Sequence, residues 1–191
     1  MEYHQTLENF SLEHAEISEK EFIARYPHPF LVVNLDGGMP MLYGRLACAT
    51  TSLEEEEDGK PRGYSAPIDP KKRILVAPVI KSGRNKFPNM ITVGRTNQND
   101  IILPVRSISK FHAYFKTSSD SGELMIVDAE SRFGTVLHGE EIVAEKPRAL
   151  ENGNTLVFGK VARSTFLTSE FFYGYMHLNL RAIEKWREGK V

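Results

Sequence analysis

From residue 73 onward, short runs rich in Ile, Val, Leu and Phe recur at regular intervals, with Gly, Asn, Ser and Asp between them. Many short apolar runs separated by turn-forming residues are typical of an antiparallel sandwich or barrel. After Thr168, a candidate N-cap, apolar positions continue at helical spacing, which predicts a C-terminal helix to about residue 188. The predicted strands are 74–80, 90–93, 100–103, 113–116, 124–127, 135–137, 141–143, 155–158 and 164–167.

The first fifty residues have a different pattern. The sequence Ser-Glu-Lys-Glu at 18–21 fits a capping box and predicts a helix over 19–25. Extended runs at 30–35 and 41–47 flank an Asp-Gly-Gly turn signal, which predicts a hairpin. A segment of fifty residues would bury too little apolar surface to be stable alone. We therefore expect residues 1–50 to add strands to the sandwich.

Residues 51–72 separate these two regions. They hold the acidic run Glu-Glu-Glu-Glu-Asp at 54–58, followed by several prolines and glycines. Like charges repel and prolines cannot donate to a strand ladder, so we predict a long loop, either simply solvated or docking a basic partner. The predicted organisation is an N-terminal α/β extension over 1–50, this loop over 51–72, a β-sandwich over 73–167 and a helix over 168–191.

Charge and cysteine content narrow the function. The formal net charge is −1, so no global basic excess indicates nucleic acid or an anionic membrane surface as a partner. Cys48 is the single cysteine, which excludes an intrachain disulfide and suits a reducing compartment. Without a signal-peptide pattern or a membrane-length apolar run, we expect a soluble cytoplasmic protein.

Motifs of catalysis and of cofactor binding are missing from the sequence. There is no Gly-x-Ser-x-Gly, no phosphate-loop Gly-Lys-Ser/Thr and no kinase motif. The spacing of His4, His14 and His28 matches no common metal-ligand pattern. We therefore expect a protein that is not an enzyme, with no catalytic residue, no cofactor and no bound metal.

A set of short motifs within the β region carries a more specific signal. Gly-Arg ends a predicted strand, Ser-x-x-His follows about 14 residues later, and an Asp-x-x-Ser-x-x-Gly-Thr pattern and a distal Phe-Gly come next. This order and spacing resembles the forkhead-associated (FHA) domain, over about residues 73–167. The resemblance implies a mainly β, two-sheet antiparallel β-sandwich of the FHA/SMAD-like class, whose loops at one end bind phosphothreonine. The motif residues are Gly94-Arg95, Ser109, His112, Asp128, Ser131, Gly134-Thr135 and Phe158-Gly159.

The chemistry of these loops suits a phosphate monoester, which carries nearly two negative charges and three strong acceptor oxygens. Arg95 supplies a planar guanidinium that can bind two oxygens at once. Ser109 supplies a short hydroxyl donor, and Lys110 adds an ammonium. Hydrogen bonds to charged groups contribute about 1.5–3 kcal/mol each, which after ordering costs suggests roughly micromolar affinity.

The neighbouring residues are expected to support these loops. Gly94 is expected to allow a backbone geometry that a side chain would disfavour. By the resemblance, His112 braces the phosphate-binding loop from inside. Asn99 and Asp100 are expected to form hydrogen bonds in the loop after Arg95, and the pair Gly134-Thr135 to form a tight turn.

One position departs from the family pattern. Family members usually have Asn directly before the Gly-Thr pair, where its side chain grips the peptide backbone, but this chain has Phe133, which has no donor or acceptor. Three interpretations stay open: Arg132 leans onto the phosphate, Phe133 packs on an apolar peptide side chain, or the peptide grip has been lost.

Two functional hypotheses follow. The first is a phosphothreonine-dependent protein-binding module, a signalling adaptor whose partner is a Ser/Thr protein kinase or the kinase's phosphorylated substrate. The alternative is a phosphate-independent structural interaction module of FHA fold, which would use a sheet face, the N-terminal extension or the C-terminal aromatic residues at 171–175.

Overall fold

The structure is a computed structural model that describes residues 4–35 and 74–187, with side chains as far as residue 184. The predicted strand at 41–47, Cys48 and the predicted acidic loop at 51–72 lie outside the described residues. In the described part of the chain, no helix combines the length and the apolar character needed to cross a membrane.

Residues 4–35 and 74–187 contain twelve strands and three helices. In chain order they are β1 (Gln5–Thr6), α1 (Leu7–Glu13), α2 (Glu19–Arg25), β2 (Phe30–Asn34), β3 (Ile74–Pro78), β4 (Ile91–Gly94), β5 (Ile101–Ile102), β6 (Ala113–Thr117), β7 (Leu124–Asp128), β8 (Thr135–Leu137), β9 (Glu140–Glu141), β10 (Arg148–Ala149), β11 (Thr155–Phe158), β12 (Ala162–Leu167) and α3 (Ser169–Arg187).

The strands form two sheets. The seven-stranded sheet has the order β1-β3-β2-β12-β11-β8-β9, and the five-stranded sheet has the order β10-β7-β6-β4-β5. Every pairing is antiparallel except β4 with β5, which run parallel. The predicted antiparallel β-sandwich is therefore confirmed, with this one parallel pair at the end of β4.

One apolar core lies between the two sheets. Leu31 and Val33 of the seven-stranded sheet and Ala113, Phe115 and Ile126 of the five-stranded sheet belong to it, and all five are fully buried. Alternate residues of each strand point into this space, as the period of two in a pleated strand requires. This core holds the loops at one end of the sandwich at fixed positions.

A second core covers the outer face of the seven-stranded sheet. Phe30 and Val32 point away from the first core and pack with side chains of the three helices, and the Phe30 and Phe172 rings stack with centroids 4.2 Å apart. Tyr175 is also fully buried here. The aromatic residues of α3 therefore serve mainly to attach the helix to the sheet.

The N-terminal residues complete the sandwich. Strand β2 lies between β3 and β12, pairing Phe30 with both Pro78 and Leu167, and all five of its residues are buried. This agrees with the expectation that residues 1–50 add strands to the sheet, and it extends the sandwich beyond the predicted 73–167.

The helix predictions agree closely with the structure. The capping box of α2 is formed by Ser18 and Glu21, and α2 covers the predicted residues. Helix α3 begins directly after Thr168. Strands β1 and β10 and helix α1 were not predicted.

Candidate functional site

Arg95 is the first residue after β4, at one end of the sandwich. Its backbone N–H donates to the Ser109 carbonyl oxygen at 3.0 Å, which joins the two loops that carry the predicted phosphate ligands. Its side chain is exposed, and the guanidinium has no hydrogen-bond or ion-pair partner among the described residues. The backbone of Arg95 is therefore fixed while its five N–H donors are available to a ligand.

Gly94 is needed for space and not for an unusual backbone angle. Its φ is not positive, which corrects the expectation of a geometry that only glycine tolerates. A Cβ at this position would instead clash with the Lys110 carbonyl oxygen and come within 2.7 Å of the Asn99 amide nitrogen. The absent side chain lets the end of β4 approach the Ser109–Lys110 loop closely.

The Ser109 hydroxyl is held by a neighbouring loop and keeps its proton. The Arg132 backbone N–H donates to Ser109 Oγ at 3.1 Å. Because an amide N–H can only donate here, the serine oxygen is the acceptor and its own O–H remains free to donate to a ligand. The contact also brings Arg132 to the same end of the sandwich as Arg95.

His112 braces these loops from inside, as the resemblance implied. Its ring is fully buried, Nδ1 accepts a hydrogen bond from the Ser109 N–H at 3.1 Å, and Nε2 lies 3.2 Å from the Gly134 carbonyl oxygen. An Nδ1 that accepts requires the proton on Nε2, so the neutral imidazole links the two loops. Burial lowers the pKa of His112, against a smaller opposing effect of the nearby Asp128 carboxylate.

Asp128 organises the loop that contains Arg132 and Phe133. Its carboxylate accepts from the Ser131 N–H at 2.8 Å, the Ser131 hydroxyl at 2.7 Å and the Thr135 hydroxyl at 2.6 Å. The predicted tight turn is present, with Gly134 at a φ of 72°. Asp128 was not predicted as a site residue, although the Asp-x-x-Ser spacing signalled it.

Asn99 forms hydrogen bonds in the loop after Arg95, as expected. Its buried side-chain NH2 donates to the Lys110 carbonyl oxygen at 2.7 Å and to the Thr96 carbonyl oxygen at 3.0 Å. These bonds close the loop after Arg95 onto the loop of Lys110. The Lys110 side chain itself is exposed and has no partner in the described part of the chain.

Asp100 acts elsewhere, which corrects its expected role in the loop after Arg95. Its carboxylate accepts from the Ser82 N–H and the Thr92 N–H, both at 2.8 Å, and from the Asn85 amide and the Lys81 ammonium. Burial alone would raise the pKa of Asp100, but these hydrogen bonds hold the pKa well below its usual value. Asp100 therefore anchors the segment before β4.

The Phe133 ring lies close to two cations. The ring is 37% exposed, the Arg132 guanidinium carbon is 5.1 Å from its centroid, and the Lys160 ammonium is 5.7 Å from it. Both distances are within the range of cation–π attraction. Phe133, Arg132 and Lys160 line a cleft of about 470 Å³ that also reaches Glu141 and Val143. Lys160, in the turn between β11 and β12, was not predicted, although it directly follows the Phe-Gly of the motif.

The structure thus gathers the predicted residues at one end of the sandwich. Hydrogen bonds join the loops of Arg95, Ser109 and Arg132, and His112 supports them from the core. The uncommitted groups are two guanidiniums, one ammonium and one hydroxyl, a set that fits an anion with several acceptor oxygens. Within residues 4–35 and 74–187, no cluster of His, Cys, Asp and Glu could hold a metal ion.

Comparison with known proteins gives two curated relatives. The DNA damage response protein kinase DUN1 of Saccharomyces cerevisiae is 38% identical over 77 residues, which cover 38% of this chain and 15% of that protein. Angiogenic factor with G patch and FHA domains 1 of Mus musculus is 27% identical over 125 residues, which cover 60% of this chain and 17% of that protein. The chain therefore matches less than one fifth of the length of either relative.

Among solved structures, the chain is similar to the N-terminal FHA domain of S. cerevisiae Rad53p in complex with a phosphothreonine peptide. It is 22% identical, covers 45% of this chain and 73% of that chain, and has a TM-score of 0.38. Residues 91–159 match the family model of the FHA domain, and this range includes Arg95, Ser109, His112 and the Gly134-Thr135 turn. The protein therefore contains an FHA domain, which is a binding module and not a catalytic family.

Proposed function

We propose that the protein is a phosphothreonine-dependent protein-binding module, in which Arg95 and Ser109 bind the phosphate and Lys110 and Arg132 add positive charge. The observation that carries this proposal is that two residues joined by a backbone hydrogen bond both keep their side-chain donors available to a ligand. The Arg95 N–H and the Ser109 carbonyl are bonded at 3.0 Å, while the Arg95 guanidinium and the Ser109 O–H have no acceptor in the described residues.

The electrostatics of the site support a doubly charged ligand. Arg95, Lys110 and Arg132 are all exposed cations at the same end of the sandwich, and none of them has an acidic partner among the described residues. A phosphate monoester would neutralise them while accepting two parallel bonds from Arg95. The proposed preference for phosphothreonine over phosphoserine rests on the similarity to the FHA family alone.

Phe133 supports one of the three interpretations of its position. Its ring carries the Arg132 guanidinium at 5.1 Å, which restricts where that long side chain can lie. We infer that Phe133 orients Arg132 towards the phosphate, which is the first of the three interpretations. The positive charge of Arg132 then compensates for the missing peptide-gripping Asn. Loss of the site is disfavoured, because the donors and their buried supports are all in place.

The wider features of this function are part of the proposal. The partner would be a protein phosphorylated by a Ser/Thr kinase, or the kinase itself, and the protein would act as a cytoplasmic signalling adaptor without catalysis, cofactor, nucleic acid or membrane. The name of the matched relative DUN1, a DNA damage response protein kinase, supports a kinase context. We also propose that the boundaries between the N-terminal extension, the acidic loop, the sandwich and the C-terminal helix lie at residues 50, 72 and 167. Strand β2 of the extension contributes to the sandwich.

A second function has one observation in its favour. Phe133 is 37% exposed and offers no hydrogen bond to a peptide backbone. A phosphate-independent structural interaction module of FHA fold would use such an apolar surface without needing Arg95.

Fluorescence anisotropy separates the two functions. Three versions of one peptide library, with phosphothreonine, phosphoserine or unmodified threonine, would be titrated with the wild-type protein and with Arg95→Ala. We expect binding of the phosphothreonine library alone, and a loss of at least about 2 kcal/mol with Arg95→Ala. Lys20→Ala, which removes an exposed cation of α2 on the outer face of the seven-stranded sheet, is the matched control. Equal binding of phosphorylated and unmodified peptides would contradict the proposal.

A further inference from the structure

An exposed aromatic pair lies beside the phosphate-binding loops. Phe87 and Phe111 are 43% and 37% exposed, and their rings stack with centroids 5.9 Å apart and planes inclined by 15°. The Tyr114 ring continues the stack, 6.0 Å from Phe111. Two large phenyl rings kept together in solvent form a binding surface more readily than two scattered apolar side chains do.

The segment that presents Phe87 is held rigidly from below. The Phe87 N–H donates to the Asn85 side-chain oxygen at 3.1 Å. The Asn85 amide nitrogen in turn donates to the Asp100 carboxylate at 2.8 Å and to the Thr92 hydroxyl at 2.9 Å. A ligand that contacts Phe87 would therefore not have to order this segment first, which favours affinity.

The charged side chains around the two rings are all positive. Phe87 and Phe111 line a groove of about 470 Å³ together with Arg84, Lys86 and Lys110, and no acidic side chain of the described chain lines it. Lys110 directly follows Ser109 in the chain, so the groove lies next to the proposed phosphate site. An occupant must therefore offer negative charge and apolar surface together, next to a phosphate.

We propose that this groove binds the flank of the phosphothreonine peptide, and that it selects partners whose flank combines acidic side chains with a bulky apolar one. This inference rests on the proposed function, since the phosphothreonine would place the flank beside Lys110. A peptide with two or three acids matches three cations. A longer polyanion such as single-stranded nucleic acid is disfavoured, because the net charge of −1 provides little long-range attraction for it.

The test uses fluorescence anisotropy with four peptides on one neutral Gly/Ser frame. The first carries phosphothreonine alone. The second and third add two Asp and one Leu before or after the phosphothreonine, and the fourth is the unphosphorylated form of the tighter of these two. The variants are Lys86→Glu and Phe87→Ser, neither of which is a proposed phosphate ligand. Lys20→Glu and Leu178→Ala, at exposed positions of α2 and α3, are the matched controls.

We expect one flanked phosphopeptide to bind about tenfold more tightly than the neutral phosphopeptide. Lys86→Glu and Phe87→Ser should each remove this gain and leave the affinity for the neutral phosphopeptide unchanged. Equal binding of the three phosphopeptides would overturn the inference but not the proposed function. Binding of none of them would overturn both.

A single-stranded oligonucleotide tests whether the groove binds nucleic acid instead of a peptide. We expect it neither to bind nor to displace the flanked phosphopeptide. Tight binding that Phe87→Ser weakens would make the groove a nucleic-acid site and would overturn the inference.

Discussion

The backbone N–H of Arg132 donates a hydrogen bond to the hydroxyl oxygen of Ser109, 3.1 Å away. This bond fixes where the serine oxygen lies while leaving its proton to a ligand. It also makes the loop before Gly134 part of the same unit as the loop after β5. The binding of a phosphate to Ser109 would consequently depend on the position of both loops.

Removal of the Ser109 hydroxyl should therefore weaken binding more than folding. We expect Ser109→Ala to lower the affinity for a phosphothreonine peptide about tenfold or more, because one bond to a charged group is lost. The exposed Arg132 N–H can turn to water, so the melting temperature should change little. Ser107→Ala is the matched control, since the buried Ser107 hydroxyl has no hydrogen-bond partner among the described residues. A similar affinity loss in both variants, measured by calorimetric titration, would contradict this role.

The ring of Phe133 should matter through the cations that lie over it. We expect Phe133→Ala to weaken phosphopeptide binding several-fold, since a cation–π contact contributes about 0.5–1 kcal/mol at exposed sites and two cations lose their support. Phe133→Trp keeps an aromatic face and should retain the wild-type affinity. The same peptide titration checks both variants, and an unchanged affinity in Phe133→Ala would rule out the proposed orientation of Arg132 and Lys160.

Two glycines should respond to alanine in opposite directions. Gly94→Ala would place a methyl group against the Lys110 carbonyl, and overpacking of this kind costs about 1–3 kcal/mol. Gly174 lies within α3, and a methyl group added there would meet no neighbouring atom within 4 Å, so Gly174→Ala should stabilise the protein by about 0.5–1 kcal/mol. Urea denaturation measures both changes. Equal effects of the two substitutions would show that space at Gly94 is not limiting.

The free energy of unfolding should fall as the solution becomes acidic. Burial lowers the pKa of His112 in the folded protein from 6.5, and it lowers the pKa of His4 to about 4. The unfolded chain therefore takes up protons near pH 6.5 while the folded protein does not, so stability present above pH 6.5 is lost as the pH falls towards the folded pKa values. Urea midpoints between pH 8 and about pH 4 measure this.

Histidine variants assign the pH dependence. His112→Gln and His4→Gln should each flatten the pH profile of the urea midpoint, whereas His138→Gln, at an exposed turn, should leave its slope unchanged. An unaltered slope in both buried-site variants would show that other groups cause the acid sensitivity.

Local signals explain why some elements could be predicted. The capping box of α2 is encoded by Ser18 and Glu21 alone, three residues apart, so no tertiary information was needed. Strand β10 offers no such signal, because both of its residues, Arg148 and Ala149, are exposed. A two-residue strand without a buried side chain leaves no hydrophobic period to detect.

The site was predictable where residue type and spacing determine its chemistry, as for Arg95 and His112. The role of Asp100 was not, because most of its hydrogen-bond donors lie in the segment before and within β4, and a sequence does not show which way a loop carboxylate turns. Lys160 was missed for a related reason: it reaches Phe133 only because the turn between β11 and β12 packs against the Gly134 turn.

The central place of β2 has a consequence for synthesis on the ribosome. Phe30–Asn34 is made before both of its neighbours in the sheet, β3 and β12, and β12 ends at Leu167. Five residues that the finished protein buries must therefore stay without their β12 partner until the ribosome has made Leu167. We expect nascent chains that stop before Leu167 to depend on chaperones, with β2 as the segment they shield.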